Sequence, residues 1–172
     1  MPGRAWGTTA QERTTLAFPC DRYLTAPDDV YYRGVDVRAP ADVVFRWLCQ
    51  LRVAPYSYDW IDNLGRRSPR ALTPGVEHLE PGQRVMTIFE LVEFEPDKQM
   101  TVRLHRESVL FGEVVLTYLL VPNPDNCRML VKVLIRHSRR IPGWRLRQAA
   151  MPGLDLVMMR KQLLTIKRLA ET

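Results

Sequence analysis

From residue 83 onward the chain alternates apolar and polar side chains in short runs that end at turn residues. Gln83 to Glu95 is the first run, closed by Pro96 and Asp97. In Gln99 to Arg106, Met100, Val102 and Leu104 alternate with Thr101, Arg103 and His105. Glu113 to Val121 places Val114, Leu116, Tyr118 and Leu120 on one side and stops at Pro122 to Asn126. Cys127 to His137 sets Met129, Val131, Val133 and Ile135 against Arg128, Lys132 and Arg136. A period of two predicts strands, and the short connections predict antiparallel neighbours.

The period then changes. In Leu154 to Ala170, Leu156, Met159, Leu163, Ile166 and Ala170 fall on one face at 100° per residue, with Arg160, Lys161, Lys167 and Arg168 on the other. This predicts an amphipathic helix. Pro152 and Gly153 are expected to stop whatever precedes it, and Asp155 to sit at the positive end of its dipole.

The first half is less regular. Residues 1–29 carry no period and read as an extension lying on the surface. Val30 to Arg38 alternates, with Tyr31, Arg33, Val35 and Val37 on one side. Pro40 ends that strand and opens a helix in which Val44, Trp47, Leu48 and Leu51 recur at i, i+3, i+4 and i+7. Pro55 breaks the helix, and Tyr56 to Gly65 follows as a second short helix or an ordered loop. Pro69, Pro74, Gly75, Pro81 and Gly82 leave little room for regular structure between 66 and 82.

The order is thus a strand, short helices, an antiparallel meander and a long helix. A long amphipathic helix preceded by strands is most simply buried under a curved sheet, which leaves an apolar hollow. The fold class is α+β, with residues 30–172 as one ligand-binding domain. At 172 residues the chain buries roughly 70% of its unfolded surface, enough for a core with a cavity.

Composition narrows the function. An apolar fraction of 46% with 26% charged residues is ordinary for a globular protein. No run approaches the roughly 18 apolar residues of a membrane span, and the amino terminus lacks a signal-peptide pattern, so a cytoplasmic location is expected. Cys20, Cys49 and Cys127 are three cysteines without CxxC spacing, so neither a disulfide framework nor a zinc site is indicated. His78, His105 and His137 stand far apart, no GxSxG, GxGxxG or GxxxxGK occurs, and no metal or cofactor is expected. The net charge of +6 is spread out, and no nucleic-acid partner is inferred from it.

VDVRAPADVVFRWL, residues 35–48, resembles the strand-to-helix opening of the helix-grip, or START-like, superfamily that includes polyketide cyclases, aromatases and lipid-transfer domains. QLRVAPYSYDWIDN at 50–63, GRRSPR at 65–70 and DLVMMRKQLLTIK at 155–167 look like an actinobacterial SRPBCC branch of it. The resemblance implies a curved antiparallel sheet gripping the terminal helix around an apolar pocket, with two short helices after the first strand. It implies no reaction, because that scaffold hosts enzymes and passive binders alike.

The candidate site residues follow from residue chemistry. Tyr56, Tyr58 and Trp60 offer aromatic faces and polar tips for a flat or greasy ligand, and Asp59 beside them could move a proton. The same rings could plug the gap between helices and sheet. Glu90 shares an alternating face with Met86 and Ile88, and if that face lines the hollow its carboxyl could serve as acid or base; the opposite face is almost as apolar, so the choice stays open. Tyr118 and Met159 are expected to point inward. Basic residues around Trp144, in residues 136–148 with Arg139, Arg140, Arg145 and Arg147, suit a weak contact with an anionic membrane or a solvated loop. The expected function is binding of a lipid-like or polycyclic molecule. The alternative is a cyclase, aromatase or dehydratase using Tyr58, Asp59 or Glu90, and a third reading is a peripheral membrane or regulatory partner.

Overall fold

The computed structural model describes residues 3–57, 67–105, 112–124, 126–138 and 144–172. Among them, β1 (Ala5–Trp6), β2 (Asp29–Val37), β3 (Arg84–Val85), β4 (Phe89–Glu95), β5 (Gln99–Leu104), β6 (Glu113–Pro122) and β7 (Cys127–Arg136) form one curved, unclosed sheet. The order is β1-β2-β7-β6-β5-β4-β3. The α-helices among the described residues are α1 (Ala10–Thr15), α2 (Ala41–Cys49) and α3 (Trp144–Ala170). The meander is antiparallel from β4 to β7, and β2 closes onto β7 with Tyr31 opposite Val133 and Val35 opposite Met129. β1 alone runs parallel to its neighbour.

Alternation gives the sheet two buried faces. On the concave face Val35, Val102, Leu116, Val131 and their neighbours share one cluster with Val44, Trp47 and Leu48 of α2 and Met159, Leu163 and Ile166 of α3. Each such side chain contributes roughly 1.5–3 kcal/mol when fully buried. α3 packs chiefly on β2 and α2, so it lies toward one side of the trough. The convex face carries a smaller cluster in which Phe18, Cys20 and Leu24 cover Val115, Leu130 and Leu134.

Residues 9–24 are held to that convex face by directional contacts. The Cys20 amide donates to Thr117 Oγ1 at 2.9 Å, and the Thr117 and Thr101 hydroxyls are 2.8 Å apart. Arg22 bonds both oxygens of Glu93, at 2.6 and 2.8 Å. Lys132 reaches Asp21 at 2.8 Å. Thr9 and Glu12 form a reciprocal cap on α1, and Glu12 also accepts from Arg128 Nε at 2.7 Å.

Several local expectations are corrected. The strand expected over Gln83 to Glu95 is two strands, β3 and β4, because Met86 and Thr87 take left-handed φ of 49° and 68°. Such angles cost a residue with a Cβ roughly 1–2 kcal/mol. The turn is anchored by the Met86 amide, which donates to Leu51 O at 2.8 Å. A further irregularity falls between Leu91 and Glu93.

The terminal helix does not start after Gly153. It begins at Trp144 and runs through Pro152, whose ring removes one backbone donor and crowds the carbonyl of the preceding turn. Asp155 therefore lies in mid-helix, away from the dipole's end, and residues 144–148 belong to the helix instead of a loop. Of the two short helices expected after the first long strand, α2 is present and ends in a 3-10 turn at Gln50–Arg52. The second was expected within Tyr56 to Gly65, of which residues 58–65 lie outside the described residues.

Candidate functional site

The concave face is where the sheet, α2 and α3 bring polar side chains into apolar surroundings. Tyr118 leaves β6 inward and is fully buried. Its hydroxyl donates to Gln162 Oε1 on α3 at 2.6 Å, and Gln162 Nε2 donates to Pro55 O at 2.6 Å. Met86 Sδ sits 3.2 Å from that amide nitrogen and 3.7 Å from the phenol oxygen. One glutamine thus ties sheet, helix and the end of the α2 segment together. Burial pushes the Tyr118 phenol well above its ordinary pKa, so it stays a proton donor.

Tyr56, next to Pro55, is buried at a left-handed φ of 55° and packs edge-on against Trp47, with ring centres 6.2 Å apart. Met159 is buried in the same cluster. Of the residues chosen from sequence, Tyr56, Met86, Tyr118 and Met159 therefore come together in the concave interior.

Two others do not. Ile88 is 39% exposed in the turn before β4. Glu90 points away from the face that Leu91 presents to the core, forms an ion pair with Arg103, and has His105 Nε2 at 3.9 Å. It therefore does not line the trough. Tyr58, Asp59 and Trp60, like Arg139 and Arg140, lie outside the described residues, as do the side chains of Trp144 and Arg147.

A second polar group was missed, although its pattern was visible. Arg33 shares the inward face of β2 with Tyr31, Val35 and Val37, and its side chain is entirely buried. Its Nη2 donates to Asp155 Oδ2 at 2.5 Å and to Gly3 O at 2.9 Å, while Nη1 donates to Arg4 O at 3.0 Å and Tyr32 O at 2.8 Å. Burial pushes the Asp155 carboxyl up, opposed by the Arg33 charge. A few residues along, the buried carboxylate of Asp29 pairs with Arg4 and lies 2.7 Å from His137 Nε2.

Tyr31 lies between these groups, with the Arg33 guanidinium 5.4 Å from its ring centre. Its hydroxyl is near enough to Asp29 to feel that charge, yet it makes no hydrogen bond of ordinary geometry among the described residues. Arg33 Nε is likewise without a partner. Burial first, then the charges of Asp29 and Asp155, push the Tyr31 phenol up. An arginine on an apolar alternating face is the signal that sequence reading could have used.

The chemistry on offer is therefore donation of protons or hydrogen bonds inside an apolar trough. Cys20, Cys49 and Cys127 are buried free thiols, pushed up by burial to about 11, 12 and 11, so none is a thiolate at neutral pH. Among the described residues no three His, Cys, Asp or Glu side chains stand close enough to hold a metal ion, and no helix is long and apolar enough to cross a membrane.

No family model matches the chain, and no curated protein matches it in sequence. Solved structures do. A Chromobacterium violaceum protein is similar at 14% identity and a TM-score of 0.53 over 83% of this chain and 97% of that one. A Thermobifida fusca protein is similar at 16% identity and 0.51, over 81% and 94%. The di-domain ARO/CYC StfQ from the steffimycin biosynthetic pathway is similar at 13% identity and 0.52 over 83% of this chain; the chain spans 50% of that protein. At such identities the likeness concerns the fold. A curved, unclosed sheet with a long terminal helix, shared with StfQ, makes this a helix-grip fold of the α+β class.

Proposed function

We propose that the chain binds a hydrophobic small molecule, lipid-like or polycyclic, between the concave face of the sheet and α3. The observation that carries this reading is the chemistry of the concave face: apolar side chains from β2 and from β4 to β7, with Tyr118 and Gln162 as a neutral polar pair where sheet meets helix. Binding sites for such guests are mostly apolar with a few placed polar groups. The fold shared with StfQ, a di-domain ARO/CYC of the steffimycin biosynthetic pathway, supports the reading.

A cyclase-, aromatase- or dehydratase-type enzyme is the second reading, favoured by Tyr31. A buried phenol kept protonated, beside a guanidinium and with no hydrogen bond of ordinary geometry among the described residues, is suited to donate to a carbonyl oxygen of a guest. Native mass spectrometry of protein from its own source, followed by titration with an apolar fluorescent probe, tests the binding reading. A retained mass displaced by the probe is expected, with weaker probe binding in Met159→Ala. No retained mass together with no probe binding would remove the proposal, and a retained mass that changes on incubation would favour the enzyme.

A further inference from the structure

α3 carries apolar side chains on the face it turns away from the protein as well as on the packed one. The packed face runs through Asp155, Met159, Gln162, Leu163 and Ile166. At 100° per residue the opposite face holds Leu146, Leu154, Val157 and Leu164, which are 77%, 53%, 51% and 36% exposed. Single exposed leucines are normal on a protein surface. Four aligned along roughly 27 Å of one helix, at about 1.5 Å per residue, form a stripe.

The charges beside the stripe have one sign. Lys161 and Arg168 lie within it and Arg160 flanks it, all exposed. Asp155 is the helix's one carboxylate, and it faces inward to Arg33. Among the described residues neither Lys161 nor Arg168 forms an ion pair. The outward face is therefore apolar in its first half and cationic in its second.

We propose that this face docks on an anionic bilayer surface. Leu146, Leu154 and Val157 settle at the boundary of headgroups and acyl chains, and Lys161 and Arg168, with Arg160, meet lipid phosphates. A second copy of the helix complements it poorly. In parallel the cations of one copy face those of the other, and in antiparallel they face leucines with no carboxylate to pair.

Sedimentation of the full chain with vesicles tests this, using phosphatidylcholine alone and phosphatidylcholine mixed with phosphatidylglycerol. The chain should sediment with the anionic vesicles, not with the neutral ones. The pair Lys161→Glu and Arg168→Glu should lose roughly tenfold or more in affinity, and so should Leu154→Asp with Val157→Asp, both with an unchanged melting temperature. If the second pair fails to fold, the charge reversal decides. No sedimentation with anionic vesicles, equal sedimentation by the charge-reversed chain, or a concentration-dependent dimer that Leu154→Asp disrupts would overturn the proposal. The probe titration reads the interior separately, so either idea can fail alone.

Discussion

On the concave face Val102, Leu116 and Val131 share a cluster with Leu163 and Ile166 of α3 almost entirely through carbon, and on the convex face Thr101 and Thr117 hold the backbone of Cys20 between Val115 and Leu130. Apolar contact is strong but undirected; hydrogen bonds and ion pairs set a position. The convex cover is thus pinned in one register by its threonines and by the Arg22, Lys132 and Arg128 pairs. The concave wall has far fewer directional groups, and those it has gather at the helix, as Tyr118 with Gln162 and Arg33 with Asp155. A face lined that way leaves the register of what packs on it loosely set, whereas its counterpart is committed to its own chain.

The largest test of that contrast is Leu163→Asp. Leu163 is fully buried in the concave cluster, and an unpaired charge there costs several kcal/mol, a large part of a typical domain's roughly 5–15. Circular dichroism should show no cooperative melt near that of the unmodified chain; a near-normal melting temperature would mean that the sheet does not grip α3. Next in size is Arg33→Met, which leaves Asp155 buried opposite no charge and removes donors from Gly3 O and Arg4 O. A loss of about 3–5 kcal/mol is expected in urea unfolding. Adding Asp155→Leu should recover most of it, and no recovery would assign the effect to the amino-terminal carbonyls.

The smallest effect belongs to the convex face. Glu12 is held down from 4.5 to about 2, chiefly by its hydrogen bond to Arg128. A depressed carboxyl adds stability that is complete above its unfolded pKa and is lost as pH falls through the folded one. The melting temperature should therefore drop between about pH 4.5 and pH 2, and Glu12→Gln should flatten part of that drop. The residue is partly solvated, so the change is small.

How much of this was legible depended on whether local pattern or distant packing decided the outcome. Strands β5 to β7 and the packed face of α3 from Met159 to Ala170 follow period two and period 3.6, because the concave face of each strand and the packed face of the helix are apolar and the sequence records it. The break at Met86 and Thr87 left no such record: neither residue favours a left-handed backbone, and the turn is fixed from outside by Leu51. Pro152 and Gly153 read as a stop, yet the helix continues through them, since tertiary packing outweighs a local preference. For the site, Tyr118 and Met159 were readable from their faces. Gln162, Arg33 and Asp155 were not chosen, because a buried polar group shows itself only through its partner, and those partners are distant in sequence. Glu90 was left between two nearly equal faces, which the pairing with Arg103 separates.

The sheet's two margins also have a bearing on how the chain behaves in a crowd. β1 and β3, its outermost strands, are two residues long. A neighbouring molecule looking for a strand to extend finds a template too brief to propagate along, so lateral growth into fibres is blunted at both rims by geometry.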